Sequence, residues 1–102
     1  MAEATGTNMK IELRLEALNL MVKDLPNVAD DWNAMPKSER ASWSLDWDQI
    51  MGDLEAVLIP AYLEKAMTVH QQARYLDLLS LLQTHTSVID RLGLSKPRLT
   101  SA

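Results

Sequence analysis

Three stretches of this 102-residue chain repeat their apolar residues at intervals of three and four. That spacing commits the chain to helices, because residues so spaced share one face of a helix and no face of a strand. Ile11, Leu15, Leu18, Val22 and Leu25 form the first series, Trp43, Trp47, Ile50, Leu54 and Val57 the second, and Tyr75, Leu78, Leu82, His85, Ile89 and Leu92 the third. No segment alternates with period two for long enough to suggest a strand. The fold class expected is therefore all-α: a small bundle of three long helices with one or two short connecting helices. Short connections favour antiparallel neighbours.

Turn residues divide the chain. Only three glycines and four prolines are present. The first helix is predicted from about Lys10 to Leu25, with Asn8 as N-cap and Pro26 as its end, since proline pushes the preceding residue out of the α region. Leu13, Ala17, Leu20 and Met21 widen its apolar face, so much of this helix should be covered. Asn27 is a candidate cap for a short helix over Val28–Trp32, and Pro36 or Ser38 starts the next. The second long helix is predicted over Ala41–Ile59, stopped or kinked by Pro60, which offers no N–H to the carbonyl of Ala56. One or two further turns are expected over Tyr62–Met67. The third has the clearest start: Thr68 and Gln71 fit a capping box. It should run to about Leu92, roughly 37 Å at about 1.5 Å per residue, with Gly93 just past its end. One domain is expected over residues 9–93, between a flexible leader (1–8) and a C-terminal tail (94–102).

Composition narrows the function classes. The chain is 47% hydrophobic and has no cysteine, which leaves no thiol chemistry, disulfide or thiolate metal site. A net charge of −4 disfavours nucleic acid as a partner. No apolar run is long enough for a membrane span, and the N-terminus MAEATGTNMK lacks the basic start and apolar block of a signal peptide. A cytoplasmic location without membrane binding is the expectation. His70 and His85 are 15 residues apart on one predicted helix, too far to share a metal within one chain, and the faintly calcium-like Asp46-x-Asp48 lies in a helical segment. No nucleophile elbow or phosphate-cradling glycine loop is present. No cofactor, metal or catalytic residue is predicted.

Two interaction surfaces remain. Two other helices of a three-helix bundle are expected to cover only part of the broad apolar arc of the third helix, and a monomer rarely exposes so large a patch. A homodimer through Tyr75, Leu78, Leu82, His85, Ile89 and Leu92 is therefore the leading expectation. His85 on that arc reads either as a hydrogen-bonded core histidine or as a pH-sensitive contact. The alternative is an adaptor or inhibitor. All three tryptophans fall between Trp32 and Trp47, and residues 24–64 carry nine acids against two bases. Trp32, Trp43, Trp47, Asp46 and Asp48 form a candidate face for a basic protein surface, as a mimic of nucleic acid would; the simpler reading takes Trp43 and Trp47 as core anchors and the acids as a solvated face. Residues 65–102 carry the opposite balance, five bases against two acids, which includes Arg98 in the tail.

Overall fold

In a computed structural model the chain is an all-α bundle. The structure describes the backbone of residues 2–96 and the side chains from Asn8 to Lys96; residues 97–102, with Arg98, lie outside the described residues. Three helical arms are present. The first is α1 (Ala2–Asp31). The second joins α2 (Lys37–Asp53), a π-helical turn (Leu54–Leu58) and α3 (Ile59–Leu63). The third joins α4 (Val69–Thr84) and α5 (Thr86–Leu92).

The predicted faces form the core. Ile11, Leu15, Leu18, Val22 and Leu25 are buried in one cluster with Trp47, Met51, Leu54, Leu58, Tyr75, Leu78, Leu82 and Ile89. Each such Leu or Ile side chain contributes roughly 1.5–3 kcal/mol by leaving water. α1 is the central element: it packs against α2, the π turn, α4 and α5.

The ends differ from expectation in four places. α1 starts at Ala2, so Asn8 is not a cap but an interior residue, and much of the predicted leader is helical. α1 also runs through Pro26. Proline removes one backbone hydrogen bond and crowds the preceding turn, but beyond it Val28 is buried and Trp32 packs on the core. The separate helix expected over Val28–Trp32 is therefore the last turn of α1, with Trp32 just past its end. In the second arm, Pro60 neither stops nor breaks the helix. The Ile59 N–H reaches back to the Leu54 carbonyl, five residues earlier, and this widened turn accommodates the proline ring. The third arm is not one helix of 25 residues, and α1 is the longest element. His85 (φ −97°, ψ 12°) leaves helical geometry between α4 and α5.

The two arm ends that hold use the expected chemistry. Thr68 Oγ1 accepts from the Gln71 N–H at 3.1 Å, and Gln71 Oε1 accepts from the Thr68 N–H at 3.0 Å. At the other end Gly93 takes φ 71°. The Leu94 N–H donates to the Ile89 carbonyl and the Gly93 N–H to the Asp90 carbonyl, the paired bonds of a Schellman motif. The same motif closes α3, where Lys65 takes φ 58° and the Ala66 N–H donates to the Ala61 carbonyl at 2.8 Å. The predicted tail boundary at residue 93 falls inside the packed body, since Leu94 is buried with Ile89 in the core.

Candidate functional site

The face expected to hold a second subunit is not a surface. Tyr75, Leu78, Leu82 and Ile89 are at most 3% exposed, and His85 and Leu92 are half-buried. α1 packs along both α4 and α5, and the Tyr62 ring of α3 stacks on Tyr75 with centroids 4.8 Å apart. One chain covers the arc, because the break at His85 lets α4 and α5 each turn their apolar side to α1. The apolar supply of the third arm therefore gives no reason for a dimer. Burial of the Tyr75 hydroxyl raises its pKa above 10.0, with the neighbouring Tyr62 adding to the shift.

The tryptophan face also comes apart. Trp47 is fully buried, and its indole N–H donates to the Ser95 carbonyl at 2.8 Å. Trp43 stacks on it at 5.5 Å, and Trp32 meets Trp43 edge-on at 6.5 Å. Trp32 and Trp43 are half-buried. Asp48 accepts a 2.6 Å hydrogen bond from Ser95 Oγ, so it secures the C-terminal segment. The tryptophans form a pillar of the fold, and of the five predicted residues only Asp46 and Asp48 are exposed.

A different surface emerges on α1. Met9, Leu13 and Leu20 are 57%, 57% and 60% exposed. At about 100° of rotation per residue they share one side of the helix with Ala17, roughly opposite the core-facing series. The expectation that these residues would be covered fails for Leu13 and Leu20: the core claims one side of α1 only. A rotation plot of the sequence carries this signal, because the first segment holds two apolar series on opposite sides.

The exposed side of α1 lies between α2 and α4. Toward α2 it descends into an open groove of about 380 Å³, floored by Ala17, Leu20, Met21 and Ile50 and rimmed by Asp46, Gln49 and Asp53. Arg14 Nε sits 3.3 Å from Asp53 and ties α1 to α2 across its end. Toward α4, Arg74 donates to Glu12 at 2.6 Å and to Glu16 at 3.1 Å. These ion pairs hold the two edges of the face in place.

Among the described residues no group of three or more His, Cys, Asp or Glu side chains is placed to hold a metal ion. No described helix is long and apolar enough to cross a membrane. No protein family, curated protein or solved structure matches the chain.

Proposed function

We propose that the protein is a cytoplasmic, non-catalytic helical interaction module, and that the exposed side of α1 is its docking face. The observation that carries this reading is the contrast within α1. Its core-facing series is consumed by the bundle, while Met9, Leu13 and Leu20 remain more than half exposed along one line. Isolated apolar side chains at a surface need no explanation, but a continuous line beside an apolar groove marks an interaction site. The ion pairs that fix its edges support the same reading, since a preorganised face loses little entropy on binding.

Photo-crosslinking tests it. A benzophenone side chain placed at Leu20 in the full chain, expressed in cells, is expected to give defined cross-linked products. The same group at Gln83, exposed on α4, is expected to give none. Equal cross-linking from both positions would remove the docking face.

A further inference from the structure

We propose that the occupant of this face is a second copy of the chain, whose α1 lies antiparallel across the first with the twofold axis beside Ala17. This rests on the reading of α1 as the docking face. The argument comes from the charges that edge it. A uniformly acidic border would suit a basic helix, but the border is mixed in sign. On the α2 side of the apolar line stand Lys10 and Asp24. Both are exposed, and neither has an ion partner among the described residues. Each lies seven residues from Ala17, about 10 Å along the axis at roughly 1.5 Å per residue.

A twofold axis perpendicular to α1 brings like edges together with their direction reversed. Lys10 of each copy then meets Asp24 of the other, and both pairs form at once. On the opposite edge Lys23 meets Glu12 of the second copy, which the Arg74 contact already holds in place. Leu13 and Leu20 sit nearly symmetrically about Ala17, so each fills the space beside the other's counterpart, and the small Ala17 side chain lets the helices approach.

A parallel pair fails on the apolar line itself. Beyond Leu20 the exposed line continues into Asn27 and Asp31. A parallel copy would set Asp31 against Asp31 along the seam, and like charges there are repulsive. The antiparallel copy moves the two Asp31 side chains about 40 Å apart. The helix dipoles also oppose in the antiparallel pair.

Sedimentation equilibrium of the full chain tests the register. The wild-type chain is expected to dimerise. Lys10→Glu and Asp24→Lys are each expected to weaken the dimer about tenfold, since each turns two attractive surface pairs into repulsive ones. Both sites are exposed, so helicity should be unchanged. An equimolar mixture of the two variants is expected to recover wild-type affinity, because the heterodimer restores opposite charge at both ends. A mixture as weak as its components would overturn the antiparallel register. A monomeric wild-type chain would overturn self-pairing; if Leu20 cross-links other proteins in that case, the docking face itself survives, and if it cross-links nothing, both readings fall.

Discussion

Gln71 is the one buried polar side chain in the described core, 3% exposed, and its substitution should be unusually costly for a glutamine. Its amide does two separable things. The oxygen and backbone N–H complete the capping box with Thr68, while Nε2 donates to the Asn8 carbonyl of α1 at 3.3 Å. Gln71→Ala keeps the backbone N–H bond to Thr68 Oγ1 but loses two side-chain bonds, from the Thr68 N–H and to the Asn8 carbonyl, each worth about 0.5–1.5 kcal/mol. Gln71→Ala should therefore cost about 2 kcal/mol, near 10 °C in Tm for a domain of this size. Thr68→Ala loses the cap alone and should cost about half as much. Gln71→Glu keeps the acceptor for the Thr68 N–H but sets a carboxylate oxygen against the Asn8 carbonyl, so it should cost at least as much as Thr68→Ala. Urea unfolding of the three variants gives the comparison directly. If Gln71→Ala proves no more costly than Thr68→Ala and Gln71→Glu is neutral, the bond to Asn8 contributes nothing. The start of α1 is then not held against α4.

Three further outcomes follow from local geometry. Gly52 lies in α2 with open space where a Cβ would stand, so Gly52→Ala should stabilise the fold by about 1 kcal/mol in the same urea assay. Lys65 occupies a left-handed position that favours glycine, and Lys65→Gly should raise stability by about 1 kcal/mol; a loss would show that its side chain contributes more than its backbone strain costs. The raised pKa of Tyr75 means that the folded state resists ionisation of this hydroxyl more than the unfolded chain does. The stability it confers is complete below pH 10 and is lost as pH rises through the folded-state value. Chemical unfolding followed from pH 9 upward should show a decline that Tyr75→Phe flattens.

What the sequence makes legible is periodicity and local capping. The spacing of Ile11–Leu25 and Tyr75–Leu92 identifies core positions because one helix face must be buried, and Thr68, Gln71 and Gly93 mark ends through bonds within a few residues. The misreadings share one cause. Pro26, Pro60 and His85 are judged by local rules, yet each outcome depends on distant packing. The burial of Val28 carries α1 past Pro26, a π turn absorbs Pro60, and the helix breaks at His85, where no proline or glycine announces it. The Trp47–Ser95 bond spans 48 residues, so no local pattern could show that the tryptophans were structural. The second apolar side of α1 was visible in the sequence, but its exposure was not. Whether Leu13 and Leu20 meet another helix depends on how many neighbours the fold supplies, and the break in the third arm spends α4 and α5 on the opposite side of α1.

The antiparallel pairing of α1 is tested most directly by cysteine cross-linking, since the chain has no cysteine of its own. A side chain beside the twofold axis meets its own copy, whereas Leu13 is separated from its copy by about 12 Å along the helix, beyond disulfide reach. Under mild oxidation Ala17→Cys should yield a covalent dimer of twice the 11.5 kDa chain mass on a denaturing gel, and Leu13→Cys should remain monomeric. Preferential cross-linking through Leu13→Cys, or none from either variant, would contradict the account.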